Sequence, residues 1–166
     1  DSDATKAKFL QCNSGNDILH FAMHSNRGNI IESEGSLEFY PDGSDNKLWG
    51  YEISFLDIES PLVVLSGCNT GLGKINSAEG VFSLSRNFLE AGAESIIQTL
   101  WSVDDGASSD IIQEFYKNIA KGRKKNISLT LAKKDYLAGV SPFFAHPYFW
   151  SGIQLQGNTD AIMKAK

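Results

Sequence analysis

The sequence predicts an α/β fold built on a largely parallel sheet. Three observations carry that reading. Ile18 to Met23 and Leu62 to Leu65 are short apolar runs of the kind buried in a sheet, and Ser95 to Leu100 reads as a third strand. Segments with helical spacing of apolar residues lie between and after them. The two kinds of segment alternate, which is the pattern of strand–helix–strand units.

The elements follow in chain order. Ala4 to Gln11 has helix-forming residues, with Ala7, Phe9 and Leu10 apolar, and reads as a short helix capped near Ser2 or Asp3. Ile18 to Met23 is a buried strand. Asn26 to Asn46 is polar and glycine-rich, an insertion over the strand ends in which Ser36 to Tyr40 forms one strand of a small hairpin. Trp49 to Leu56 is a short helix or turn, and Leu62 to Leu65 is the second strand. Glu79 to Ala91 is helical in period through Val81, Leu84, Phe88 and Leu89, and Gly92 closes it. Ser95 to Leu100 is the third strand. Ala107 to Ala120 places Ile111, Ile112, Phe115, Tyr116 and Ile119 on one side of a helix, and Ile127 to Ala138 is another, ending at Gly139. Phe149 to Leu155 is the final strand. The chain opens on a helix with no strand to cross over from, so a first strand is expected upstream in a longer protein.

A chain of 166 residues suits one domain with a real core. Its 42% hydrophobic and 21% charged residues are ordinary for a globular protein. A net charge of −5 argues against a nucleic-acid partner. The basic cluster Lys121 to Lys125 reads as a solvated loop at a helix end. No apolar run approaches the roughly 20 residues of a membrane span. Asp1-Ser2-Asp3 lacks the basic start of a signal peptide. Cys12 and Cys68 could form only one disulfide, and a reduced, cytoplasmic setting with Cys68 as a thiol is the simpler reading.

Two of the apolar strands deliver one reactive side chain each just past their carboxyl ends. Ile18 to Ser25 brings His24, and Leu62 to Gly73 brings Cys68 in a glycine-rich turn. Ligands of open parallel sheets bind beyond those strand ends. A neighbouring histidine can take the thiol proton or hold the thiolate as an ion pair. Spacing alone equally allows an inert buried cysteine. His20 lies four residues before His24, inside the apolar run, and reads as a packed core histidine. Asp104 and Asp105 end the third strand. They could line a pocket for a basic side chain, or cap the helix that follows; one residue could do each. Pro147 holds His146 extended, and the aromatics around it suit core and turn rather than catalysis.

Cofactor motifs fail. Gly67 to Lys74 has Cys68 where a phosphate-binding loop needs its first glycine, and Ile75 where it needs Ser or Thr. His20, His24 and the cysteines lack paired-ligand spacing for zinc. Asp42 to Asn46 is too short for a calcium loop. No metal and no cofactor is expected.

Five blocks in order, Leu19 to His24, Leu62 to Gly73, Glu79 to Arg86, Leu100 to Asp105 and His146 to Gly157, resemble the CHAT domain. This caspase-like peptidase domain is often attached to tetratricopeptide repeats in bacteria. The resemblance runs from Ala4 to about Gly157, which implies a single domain over residues 1–157 and a C-terminal tail over 158–166. It implies a caspase-like three-layer sandwich with a mostly parallel central sheet, here lacking its first strand. It implies a cysteine endopeptidase with His24 as catalytic histidine and Cys68 as nucleophile, acting on a protein or peptide substrate. The backbone N–H groups of Ser25 and Cys68 would form the oxyanion hole. Related peptidases usually have glycine where Ser25 stands. Separases carry a similar Trp-x-Val-x-Asp stretch whose acidic residue reads a basic P1 side chain; Asp105 matches it and Asp104 adjoins it. An upstream repeat or sensor region is the implied regulatory partner, with no membrane or direct nucleic-acid contact. The rival readings are a caspase-like scaffold without turnover, and a small-molecule hydrolase or transferase using Cys68.

Overall fold

The computed structural model describes residues 3–11, 18–23, 25–26, 35–43, 45–66, 74–76, 80–82 and 84–162, with the backbone alone at 25–26, 74–76 and 80–82. In chain order the elements are α1 (Lys6–Gln11), β1 (Leu19–Phe21), β2 (Ser25–Asn26), β3 (Ser36–Glu38), β4 (Lys47–Trp49), α2 (Gly50–Ser54), β5 (Val63–Leu65), β6 (Lys74–Asn76), β7 (Gly80–Phe82), α3 (Leu84–Glu90), β8 (Ser95–Thr99), α4 (Asp105–Ile119), α5 (Lys125–Gly139) and β9 (Ile153–Gly157).

The central sheet has the order β1-β5-β8-β9. β1, β5 and β8 run parallel, and β9 joins antiparallel. Alternation along β5 divides the interior. Val63 and Leu65 enter one core with Phe21, Leu37, Leu48, Ile53 and Phe88. Leu62 and Val64 enter the other with Ile111, Phe115, Leu129 and Ala132. Ile96 and Ile97 on β8 divide in the same way. Helices therefore cover both faces, and the molecule is an α/β sandwich with a mostly parallel sheet. Every residue of β5 and β8 is buried; β5 therefore reads from the sequence as an unbroken apolar run, while β8 buries Ser95, Gln98 and Thr99 beside its two isoleucines.

The insertion after β1 forms a three-stranded antiparallel sheet, β2-β3-β4. Its buried Leu37 and Leu48 face each other in register. Lys6 ties α1 to this region, because its ammonium donates to Asp45 at 3.0 Å and to Glu52 at 2.9 Å.

Several local expectations need correction. Thr5 caps α1: its Oγ1 accepts from the Lys8 N–H at 3.2 Å, the bond a residue just before the first turn makes. Val81 is not helical. It pairs with Ile75 in the antiparallel β6–β7 ladder, and the helix starts only at Leu84. Gly80 disfavours helix there, and β-branched Val81 beside Phe82 suits a strand. The far end of that helix is as expected. The Ala93 and Gly92 N–H groups return to the Phe88 and Leu89 carbonyls at 3.1 and 3.2 Å. Gly92 has φ +107°, the left-handed turn such a cap requires. The final strand begins at Ile153 rather than Phe149, since Pro147–Phe149 forms one 3-10 turn.

Lys125 is not solvated. It is 1% exposed, and its ammonium donates to the Pro61 carbonyl at 2.9 Å. Residues after β9 dock on the body. Asn158 N–H donates to Glu94 O, Lys125 N–H donates to Thr159 O, and Ile162 packs against the second core.

Candidate active site

β1 and β5 are hydrogen-bonded neighbours, with Phe21 opposite Leu65. The pairing continues one residue further, where the Ser66 N–H donates to the Phe21 carbonyl at 3.1 Å. His24 and Cys68 each stand three residues beyond those register partners in the sequence. Both lie outside the described residues. Ser25 is described in its backbone only, in β2 opposite Leu37.

A cleft of about 790 Å³ opens at these strand ends. Its wall combines three layers. β1 and its continuation supply His20, Ala22 and Met23, Ser66 follows β5, and α4 supplies Asp105, Ser108 and Tyr116. The small sheet closes the far side through Glu38, Phe39 and Tyr40.

His20 is not a core histidine. It is exposed to the cleft, because β1 is the edge of the described sheet. Its Nε2 lies 2.9 Å from Ser66 Oγ and its Nδ1 lies 3.1 Å from the Tyr116 hydroxyl. Ser66 Oγ in turn donates to the Phe21 carbonyl at 3.4 Å. Partial burial between these neighbours lowers the His20 pKa. Burial pushes the Tyr116 phenol up to about 12. Both groups are therefore uncharged near neutral pH.

The adjacent carboxylates have different places. Asp104 is the N-cap of α4: its Oδ1 accepts from the Ala107 N–H at 2.9 Å. Asp105 lines the cleft. His146 caps the 3-10 turn, its Nδ1 accepting from the Tyr148 N–H at 3.2 Å. Among the described residues no group of three His, Cys, Asp or Glu side chains is placed to hold a metal ion. Among them, too, no helix is long and apolar enough to cross a membrane.

Sequence reasoning missed the His20–Ser66–Tyr116 chain and the contribution of Glu38. The available signal was a polar ring inside an otherwise apolar strand.

The profile of the CHAT domain family matches residues 1–158. Tetratricopeptide repeat protein 28 of Homo sapiens is 29% identical over an alignment covering 95% of this chain. Its Mus musculus counterpart is 28% identical over the same share. The chain spans about 8% of the length of each relative. Their names support the link with tetratricopeptide repeats, while both are mammalian and lend no support to a bacterial setting.

Proposed function

This chain belongs to the CHAT domain family, and from that premise we propose that it is a cysteine endopeptidase acting through Cys68 and His24. The observation that carries the reading is the parallel register of β1 and β5. Strand neighbours lie about 4.8 Å apart, and three residues reach at most about 11 Å. The segments carrying His24 and Cys68 thus leave from one point of the sheet edge, beside the cleft.

In this reading His24 draws the Cys68 thiol proton or holds the thiolate as an ion pair. The thiolate sulfur attacks the scissile carbonyl carbon, and the oxygen takes the negative charge. The N–H groups of Cys68 and Ser25 stabilise that oxyanion. For Ser25 this requires its N–H to point away from β3, as in the non-hydrogen-bonded pairs of an antiparallel ladder. Collapse of the intermediate expels the amine, which takes its proton from His24. A water, deprotonated by His24, then releases the acyl group. Asp105 receives a basic P1 side chain through a charge-assisted hydrogen bond. No resident metal or cofactor enters the scheme. The partners are a protein substrate and a repeat region of the longer protein, and a reducing cytoplasm would keep Cys68 a thiol.

The test is intact mass after incubation with peptidyl acyloxymethyl ketones varied at P1. Wild type, Cys68→Ala and His24→Ala are compared. One adduct on Cys68, lost in Cys68→Ala and slowed in His24→Ala, is the expected result. An adduct that forms equally without His24 would refute the dyad.

A further inference from the structure

The hydrogen-bond chain through His20 uses both ring nitrogens: Nε2 lies 2.9 Å from Ser66 Oγ and Nδ1 lies 3.1 Å from the Tyr116 hydroxyl. In the neutral ring one nitrogen donates and the other accepts, and each hydroxyl can take either part. Each member makes the bond its chemistry allows, and none is left over. A doubly protonated ring would donate from both nitrogens, and both hydroxyl oxygens would then have to accept.

The chain links α4 to the paired strands β1 and β5. Tyr116 belongs to α4, His20 to β1, and Ser66 is the first residue after β5. In the sequence Ser66 stands two residues before Cys68, and His20 four before His24. The chain therefore fixes the roots of both segments against a helix of fifteen residues. β1 is the edge of the described sheet and is bonded to β5 alone in it. The Tyr116 hydroxyl adds a polar tether to this strand from the face that α4 covers.

We infer that His20, bridged by Tyr116 and Ser66, is a positioning residue that holds the His24 and Cys68 segments in working register. It does not touch substrate or the reacting atoms in this assignment; it acts through Ser66 and the β1 strand. The inference rests on the Cys68–His24 reading.

Its test is the pH dependence of Cys68 alkylation by iodoacetamide, followed by intact mass in a Cys12→Ser background. A thiolate held by His24 alkylates well below the ordinary thiol range, which lies near 8.5. His24→Ala should move the midpoint up toward that range. Tyr116→Phe and Ser66→Ala, which each delete one hydroxyl, should move it upward by about one pH unit with little change in thermal midpoint. His20→Gln keeps one donor and one acceptor for the two hydroxyls, and His20→Leu keeps only bulk. Gln should therefore retain more of the low midpoint than Leu, whereas simple packing predicts that Leu does as well or better.

The outcomes separate the two readings. If His24→Ala leaves the wild-type profile unchanged, the dyad fails and the positioning role falls with it. If His24→Ala moves the midpoint while Tyr116→Phe and both His20 variants do not, the dyad stands and the positioning role is overturned.

Discussion

Asp104 and Asp105 are adjacent in sequence and should separate completely in experiment. Asp104 accepts from the Ala107 N–H at 2.9 Å as the cap of α4. Gly106 leaves that carboxylate room, since a Cβ there would lie 3.1 Å from Asp104 Oδ1. Removing a cap costs about 1 kcal/mol, which for a chain of this size is a fall in thermal midpoint of about 2–4 °C. Asp104→Ala should show that loss, and Asp104→Asn, which keeps an acceptor, should not. Asp105 lines the cleft instead. A hydrogen bond to a charged group contributes about 1.5–3 kcal/mol, so Asp105→Asn should lower labelling by a basic P1 probe about 10- to 100-fold relative to a neutral one. Its stability loss should be about 0.5 kcal/mol, from the weakened charge at the helix start. The assay pairs thermal unfolding with labelling rates on matched Arg and norleucine probes. The reasoning is refuted if Asp105→Asn leaves the Arg-to-norleucine ratio within about twofold of wild type, or if Asp104→Ala shifts that ratio as strongly.

Three further outcomes follow from buried and half-buried groups. Phe88 is fully buried with its ring 5.2 Å from that of Phe21, so Phe88→Ala should cost about 3–5 kcal/mol in urea unfolding. Lys125 has its pKa lowered by burial; the unfolded chain then binds the extra proton, and stability rises with pH from the folded pKa up to the ordinary 10.5. Lys125→Met should abolish that slope and, because Ser95 Oγ still donates to the Pro61 carbonyl, should gain about 1 kcal/mol at pH 7. His20 also has a lowered pKa. Its penalty is absent above the unfolded value of about 6.5 and grows as pH falls from there to the folded one, so His20→Gln should flatten the loss of stability in mild acid, read by unfolding midpoints from pH 7 to 5.

The centre of the sheet was legible because β5 is buried on both faces, and its burial leaves a continuous apolar run. Gly92 was legible because a left-handed cap has few other candidates. The misreadings share a cause: sequence pattern reports composition, and these residues are placed by context. Val81 fits a helical period and a hairpin strand alike, and pairing with Ile75 decides. Lys125 sits in a basic run that looks solvated, yet its ammonium is carried inward to a carbonyl at the end of another segment. His20 has apolar neighbours in sequence but an open side in space. For the site, spacing placed His24 and Cys68 beyond two strands, and family resemblance assigned their roles. The register of those strands was not readable from either run alone, because it depends on which strand each one pairs with.

Two carboxylates of the described residues, Glu38 and Asp105, line the cleft, and recognition of a basic ligand depends on which is available. Glu38 has a cation nearby, the Lys47 ammonium at 4.0 Å. Asp105 makes no ion pair with another described residue. Its charge is also supported by its place in the first turn of α4, where the helix favours an anion. A cationic side chain entering the cleft would therefore displace water at Asp105 but would compete with Lys47 at Glu38. That asymmetry is why Asp105, rather than Glu38, carries the specificity prediction. It also means that Glu38→Gln should change the Arg-to-norleucine ratio far less than Asp105→Asn.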